Sequence, residues 1–244
     1  MSQLLTSDAP VNQSVERAVR LLGFFSPEEP ELTLAQLTQR LGTSKATTHR
    51  YTLALRRVGL LRYDAGAGVY SLGPRVVELA ATALAGLRIV RIAGPTMERL
   101  VAELNETVVL SIWDGEQPVV VRVDDNTDRL VRIVVRTGSR LPRVDSAQGK
   151  IFLAFGPDAR ELEPTEREEI EATRVAVNSQ VVEGIRAIAT PIFQGEEITA
   201  AMAIVGTIAS VPDDPRSRAA LRLRAAADAL SAELGFLSDE RSTT

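Results

Sequence analysis

Apolar residues in the first 75 positions recur at helical spacing in three short segments. Over residues 13–25 the steps are four, three and three, which describes one face of a helix. The second segment begins at Thr33, where a T-x-x-Q pattern predicts a capping box, and it ends at Gly42. The third follows directly, with Thr43 as its predicted cap. The apolar faces of the three predicted helices consist of Val15, Val19, Leu22 and Phe25; of Leu34, Leu37 and Leu41; and of Thr48, Tyr51, Leu55 and Val58.

A hairpin pattern follows the third helix. Apolar positions over residues 61–72 flank the turn-prone segment DAGAG, whose tip contains Gly66 and Gly68. Three helices followed by a β-hairpin indicate a winged helix-turn-helix over residues 1–75. In such a domain the third helix can lie in a groove of DNA.

Residues 74–86 (PRVVELAATALAG) form a predicted helix with little polar surface beyond its first turn. A helix this apolar is not expected to stand alone in water. We therefore expect it to pack against a second copy of itself or against the rest of the chain. Residues 76–90 are interpreted as a linker helix.

The remaining sequence mixes hairpins with helices instead of alternating strictly between the two. This pattern predicts an α+β domain over residues 91–237, built on an antiparallel sheet, with residues 238–244 as a disordered tail. The predicted helices cover residues 88–104, 146–155, 165–174 and 216–234, and the predicted strands cover residues 107–113, 118–123, 130–137, 185–193 and 198–206.

Charge is distributed unevenly along the 244 residues, whose formal net charge is −4. Residues 1–75 carry nine cations against six carboxylates, whereas the rest carries 19 cations against 26 carboxylates. Residues 43–62 alone hold five cations and no carboxylate. A basic module on an acidic body indicates that only the first domain meets a polyanion.

The sequence contains no cysteine, and His49 is its only histidine. Within one chain, the second domain therefore lacks Ser-His, Cys-His and histidine-zinc chemistry. A carboxylate-only mechanism or metal site stays open, but Asp124 and Asp125 are better interpreted as a solvated turn. We expect no enzyme activity, no cofactor and no metal. The first residues lack the pattern of a signal peptide, and no apolar run approaches the ~20 residues of a membrane span, so a cytoplasmic protein without membrane contact is expected.

The third predicted helix carries the candidate DNA contacts. Arg50 lies opposite the apolar stripe and has the forked guanidinium that suits guanine, while Lys45 in the first turn suits a phosphate. A solvated basic face would explain the charges alone, but the capped helix pair and the hairpin favour DNA binding. His49 is a surface or DNA-contact residue, or has a structural role. The expected contacts are Thr33, Ser44, Lys45, Ala46, Thr47, His49, Arg50, Arg56 and Arg57.

Several motifs resemble the IclR family of bacterial transcriptional regulators. Ser14–Leu22 resembles the family's S-V-x-R-A-x-x-L-L opening, TLAQLTQRLGTSKATTHR its helix pair, and Tyr70–Gly73 (YSLG) the end of its wing. In the body TVVLSIWDG, TGSRLPRVDSAQGKIFLA and GIRAIATPIFQGEEITAAMAIVG resemble family motifs in the same order. The resemblance covers residues 12–237. It implies a winged DNA-binding domain, a linker helix and a GAF-like or profilin-like effector domain, assembled as a homodimer or homotetramer on a palindromic operator.

The resemblance also implies an effector pocket at the helix start after the G-x-x-x-P motif and on the carboxy-terminal strands. Asn178 falls where a pocket Asp often occurs. Ala187, Ala203 and Val205 fall where some members that bind small oxo-acids have Cys or Ser. Loss of these small polar groups favours a larger, partly apolar organic or aromatic acid as effector.

Two further pocket positions have alternative interpretations. Arg143 could pair with the effector's carboxylate or point outward, and Trp113 could stack on an aromatic ring or belong to the core. The effector-binding residues carried over from the family are Trp113, Arg143, Asp145, Ser146, Ala147, Gln148, Asn178, Ala187, Ala203 and Val205.

The resulting hypothesis is a ligand-responsive transcriptional regulator of a metabolic operon, acting as repressor or activator. One alternative is a ligand-independent, architectural DNA-binding protein whose second domain only forms oligomers. The other is an enzyme, which the distribution of His and Cys disfavours.

Overall fold

The computed structural model describes residues 12–125, 135–157, 161–179 and 181–235. The chain divides into two compact units, Met1–Ala83 and Leu84–Thr244. Most of the strand predicted over residues 130–137 and the tail predicted over residues 238–244 lie outside the described residues.

The first unit consists of three helices and a small antiparallel sheet, as the apolar pattern predicts. In the sheet the third strand lies between the other two. Among the residues that the structure describes, the elements up to the hairpin are α1 (Gln13–Leu22), β1 (Leu32–Thr33), α2 (Leu34–Leu41), α3 (Lys45–Arg57), β2 (Leu61–Asp64) and β3 (Val69–Leu72).

Local capping fixes the turn between α2 and α3. Thr33 and Gln36 form the predicted capping box, and Gly42 ends α2 in the left-handed region at φ 67°. The cap of α3 is Ser44 and not Thr43, which corrects the prediction. The Ser44 hydroxyl accepts a hydrogen bond from the Thr47 backbone N–H, whereas the Thr43 hydroxyl pairs with that of Thr48.

Two of the four residues predicted for the apolar face of α1, Leu22 and Phe25, pack against the core of the first unit, and the other two do not. Val15 and Val19 are 58 % and 62 % exposed, while Leu21 is fully buried and Ala18 packs beside it. The apolar arc of this helix is wider than the part that the three-helix core covers, so one edge of the arc remains in solvent.

Helix α3 buries Thr48 and Leu55 as predicted, and its inward face departs from the prediction at two other positions. Val58 is the residue that ends the helix, and it is 59 % exposed. Thr52 is buried in its place, because its hydroxyl donates to the His49 carbonyl at 2.9 Å and approaches the Tyr70 hydroxyl. Because threonine is polar, the pattern of apolar residues did not identify this position as part of the core.

Helix α4 (Pro74–Gly86) has no buried residue, and Val77 and Leu79 are among its exposed apolar side chains. The division between the two units falls inside this helix. Its exposed apolar surface agrees with the sequence pattern of residues 74–86.

The second unit is an α+β domain on a five-stranded antiparallel sheet, which confirms the predicted fold class. The strand order is β5-β4-β8-β7-β6. In the residues described here its elements are α5 (Arg88–Leu104), β4 (Thr107–Trp113), β5 (Pro118–Asp124), α6 (Ala147–Phe155), α7 (Pro164–Thr173), β6 (Ala176–Asn178), β7 (Ile185–Gln194), β8 (Glu197–Thr207) and α8 (Arg218–Gly235).

Each face of this sheet carries its own apolar core. On one face, side chains of β4, β7 and β8 that include Leu110, Ile188 and Met202 pack against α5 and α8. On the other face, Ala189 and Ala201 pack against Ile151 and other residues of α6. Strands β1 and β6, with two and three residues, were missed in the sequence because such short segments show no periodicity.

Candidate DNA-binding helix and effector cavity

Helix α3 presents a cationic outer surface. Lys45, Arg50, Arg56 and Arg57 are exposed and form no ion pair with any residue in the described part of the chain. Arg56 lies over the Tyr63 ring of the hairpin, 5.1 Å from its centroid. This contact fixes Arg56 beside the hairpin without neutralising its charge.

The first turn of α3 is open at its amino end. Ser44, Lys45 and Ala46 are exposed, and Thr47 is half-buried. The first N–H groups of a helix have no partner within the helix and carry partial positive charge, which suits a phosphate. His49 is exposed, as is Arg50, which follows it in the helix.

Thr33 differs from these residues because its side chain is used in a hydrogen bond within the fold. Its hydroxyl is occupied in the capping box of α2, where it accepts from Gln36 N–H at 3.3 Å and lies 2.8 Å from the Gln36 side-chain oxygen. It therefore positions the first helix of the pair. DNA contact by Thr33 and by the other eight residues stays a prediction.

Tyr51 connects α1 to α3. The nearby Ser14 and Arg17 side chains lower the pKa of the Tyr51 phenol by hydrogen bonding and by positive charge. Arg17 thereby places a cation of α1 near Tyr51 of α3, a position that the helical pattern did not single out.

A cavity of about 470 Å³ lies in the second unit, on the sheet face that α6 covers. Most of its walls are apolar, and Val181 and Val182 form a half-exposed part of them. The strands contribute Val109, Asn178, Ile185, Ala187 and Val205; the start of α6 contributes Ser146, Ala147 and Gln148; and the loops contribute Val135, Arg136, Ser139, Leu141, Val181 and Val182.

The start of α6 is held tightly against the preceding loop. The Ser146 hydroxyl donates to the Pro142 carbonyl at 2.6 Å and accepts from the Gly149 N–H at 3.0 Å. A Cβ at Gly149 would lie 2.1 Å from the Arg143 carbonyl oxygen. Only glycine allows this close approach, which sets the loop and the first turn of α6 as one wall of the cavity.

Six of the ten predicted effector-binding residues line this cavity. The strands bring Ala187 and Val205 side by side as register partners, and Asn178 pairs with Ala187 on the next strand. The six are Ser146, Ala147, Gln148, Asn178, Ala187 and Val205. Their role in effector binding stays a prediction.

Arg143 and Trp113 lie outside the cavity lining and contact each other. The Arg143 guanidinium forms two hydrogen bonds to Glu161, at 2.6 and 2.7 Å, and a third to the Glu116 carbonyl. It also lies 5.1 Å from the Trp113 ring centroid. Trp113 packs on Phe152 at 5.4 Å. Effector contact by either residue stays a prediction.

Asp145 and Ala203 also lie outside the lining. Asp145 is exposed on the loop, and Ala203 is fully buried between Val109 and Ala189 on the neighbouring strands. The pattern missed the loop valines and Leu141, because loop contacts depend on packing between distant segments.

The comparisons with known proteins agree with this architecture. Residues 14–65 match the model of the IclR helix-turn-helix domain, and residues 81–180 match the model of the bacterial transcriptional regulator IclR C-terminal domain. The chain belongs to the IclR family. It is accordingly a DNA-binding transcriptional regulator, as the motif resemblance predicted.

Relatives of this regulator include HTH-type transcriptional regulator KipR of Bacillus subtilis, 35 % identical over 161 residues. That match covers 66 % of this chain and 60 % of KipR. A putative IclR regulator from Silicibacter has the same fold, with a TM-score of 0.80, 24 % identity and coverage of 91 % and 96 % of the two chains. An IclR homologue from Microbacterium hydrocarbonoxydans, solved with 4-hydroxybenzoate, has a TM-score of 0.75, 23 % identity and coverage of 91 % and 98 %.

Neither a membrane-spanning helix nor a clustered metal site occurs among the described residues. Within residues 12–235, apart from the three internal gaps, the helices are too short or too polar to cross a bilayer. The same residues contain no group of three or more His, Asp or Glu side chains arranged to hold a metal ion.

Proposed function

We propose that this IclR-family regulator binds operator DNA through α3 and changes its operator affinity when the cavity binds an organic acid. The effector is bulky and largely apolar, and an aromatic acid is the simplest example. The protein acts in the cytoplasm and regulates a metabolic operon. The observation that carries the proposal is the 470 Å³ cavity with its predominantly apolar walls. A space of this size suits a small organic ligand.

The cations of α3, which form no ion pair with a described residue, support groove binding. Arg50 has the fork that suits a guanine edge, and Lys45 lies in the first turn, where phosphate contacts concentrate. Each cation that meets a phosphate releases bound counterions, so affinity should fall as salt rises.

The chemistry of the cavity supports the effector class. Ala187 and Val205 form an apolar wall opposite the start of α6. The positive end of the α6 dipole favours a carboxylate at that position. The Microbacterium homologue solved with 4-hydroxybenzoate shows that this fold can accept an aromatic acid.

The exposed apolar surface of α4 supports assembly into homodimers or pairs of dimers. Val77 is 71 % exposed, and no residue of this helix is buried within the chain. A second copy packed against this surface would bring two α3 helices to a palindromic operator.

Regulation requires that the effector bind one DNA-binding state more tightly than the other. The experiment is footprinting and gel-shift titration on the DNA upstream of the regulator's own gene, with and without 4-hydroxybenzoate, protocatechuate and glyoxylate. Calorimetry measures the binding of the same acids. We expect aromatic acids to bind and to change operator affinity. Tight glyoxylate binding without aromatic binding would refute the effector class, and ligand-independent operator binding would favour the architectural alternative.

A further inference from the structure

Gln148 is the most deeply placed polar side chain at the cavity. It belongs to the first turn of α6 and is 4 % exposed. Its amide nitrogen Nε2 donates to the Ser111 hydroxyl at 2.8 Å and approaches the Ala201 carbonyl at 3.5 Å. A backbone carbonyl can only accept hydrogen bonds, so the nitrogen of the amide must face Ala201. The opposite end of the amide, the oxygen Oε1, therefore has a fixed direction.

The Oε1 atom is available to a ligand. It accepts no hydrogen bond from any residue that the structure describes. In that part of the chain, however, no fully buried side-chain oxygen or nitrogen lacks a partner. Oε1 must therefore be accessible, and the space that Gln148 lines is the cavity.

The neighbouring hydroxyl at the start of α6 already uses its proton and one of its two acceptor sites within the chain. Ser146 already donates to Pro142 and accepts from Gly149. Gln148 thus contributes an acceptor, and only an acceptor, to a mainly apolar space. A ligand that placed a methyl group against Oε1 would exclude water from this oxygen without donating a hydrogen bond to it, which costs binding free energy.

We propose that Gln148 determines effector specificity by accepting a hydrogen bond from a ligand hydroxyl or amino group, so the effector is an apolar acid that carries such a donor. Ser111 is the positioning residue that holds the amide in this orientation. The inference rests on the proposed function, because it concerns the same cavity. It adds to the proposed function a difference in affinity: a hydroxylated acid should bind more tightly than the methyl analogue of nearly equal size.

The test is calorimetric titration of the full-length protein with two matched ligand pairs. These are 4-hydroxybenzoate against 4-methylbenzoate, and 3-hydroxybenzoate against 3-methylbenzoate. In at least one pair the hydroxylated acid should bind about tenfold or more tightly, because the methyl analogue leaves the buried acceptor unpaired. In Gln148→Leu this preference should disappear or reverse.

Gln194→Leu is the matched control, since Gln194 is exposed at the end of β7 and does not line the cavity. Its ligand preference should equal that of the unmodified protein. Gln148→Met provides a second test if Gln148→Leu fails to fold, as judged by thermal unfolding. Ser111→Ala should weaken the preference without abolishing binding, because the amide nitrogen then keeps only its longer contact to the Ala201 carbonyl, at 3.5 Å.

The outcomes separate this inference from the proposed function. Equal binding of both members of each pair to the unmodified protein overturns the role of Gln148, while the apolar-acid effector stands. An undiminished preference in Gln148→Leu has the same meaning. Failure of all four acids to bind the folded protein overturns the inference, and tight glyoxylate binding in addition overturns the proposed effector class.

Discussion

The cations of α3 and those of the second unit are used in opposite ways. In α3, Lys45, Arg50, Arg56 and Arg57 lie in solvent without a carboxylate partner among the described residues. In the second unit several cations are paired with carboxylates: Arg140 with Asp114, Arg143 with Glu161, and Lys150 with Glu166.

The cations of α3 are therefore available to bind an external anion, whereas the paired cations of the second unit form ion pairs within the fold. Counting charges along the sequence cannot make this distinction, since both regions are rich in arginine. The first unit presents its chemistry outward, and the second encloses an apolar space. Four substitutions test this contrast, beginning with the largest expected effect.

Gly149→Ala should disrupt the enclosed site. The new Cβ would lie 2.1 Å from the Arg143 carbonyl oxygen and 2.6 Å from that of Pro142, so the loop and α6 must separate. We expect the second unit to lose about 3 kcal/mol of stability and the protein to lose ligand binding. Urea unfolding and calorimetry measure the two effects. Gly86→Ala is the control, because a Cβ there meets nothing within 4 Å, and equal losses in both variants would contradict the argument.

Arg50→Ala tests the outward surface. If Arg50 contacts a base, specific operator binding should weaken by ~1–3 kcal/mol, with little change on unrelated DNA. Fluorescence anisotropy at several salt concentrations measures both. Arg167→Ala is the matched control, since Arg167 is half-exposed but paired with Glu171 in the second unit. An equal loss on every DNA sequence, with a shallower salt dependence, would make Arg50 a phosphate contact instead.

The same contrast explains what could be predicted from the sequence. The capping box at Thr33 and the glycine stop at Gly42 depend on residues within four positions, so the pattern located the helix pair. The outer and inner faces of α1 depend on how much of its apolar arc the neighbouring helices cover, and Val15 was misplaced for that reason.

The cavity shows the same division between local and long-range information. Motif resemblance found six lining residues, but Trp113 and Arg143 are held outside the lining by Phe152 and Glu161. These partners are 39 and 18 positions away in sequence, and only the packing of α6 on the sheet brings them together. Spacing along the chain could not reveal such contacts.

Ala187→Leu should reduce ligand binding by filling part of the cavity. Ala187 is a wall residue on β7, and the added side-chain atoms would occupy space that the ligand needs. We expect affinity for an aromatic acid to fall about tenfold, or ~1.4 kcal/mol, while operator binding in the absence of ligand is retained. Ala172→Leu, on the exposed side of α7, is the control. If Ala187→Leu binds ligand normally, the effector site lies elsewhere.

Asp114→Asn tests the paired charges beside the cavity and should have the smallest effect. Burial raises the pKa of Asp114. Hydrogen bonds from Arg140 and from the backbone N–H groups of Gln117 and Glu116 have a larger, opposite effect, so the pKa of Asp114 lies below its usual value. A lowered carboxyl pKa stabilises the folded state above the unfolded value of about 3.9. This contribution is lost as the pH falls through the folded pKa, so the variant should be less stable at pH 7, and the deficit should shrink toward pH 3.

The deficit at pH 7 should be below about 1 kcal/mol, because Arg140 is half-exposed and its ion pair is screened by solvent. Urea unfolding at both pH values measures it. Glu116→Gln is the control, since Glu116 is 77 % exposed and lies 3.5 Å from the same arginine, and its effect should be smaller still. A deficit that grew toward low pH would show that Asp114 is stabilised in its protonated form. The ion pair between Arg140 and Asp114 would then not be what stabilises the fold at this position.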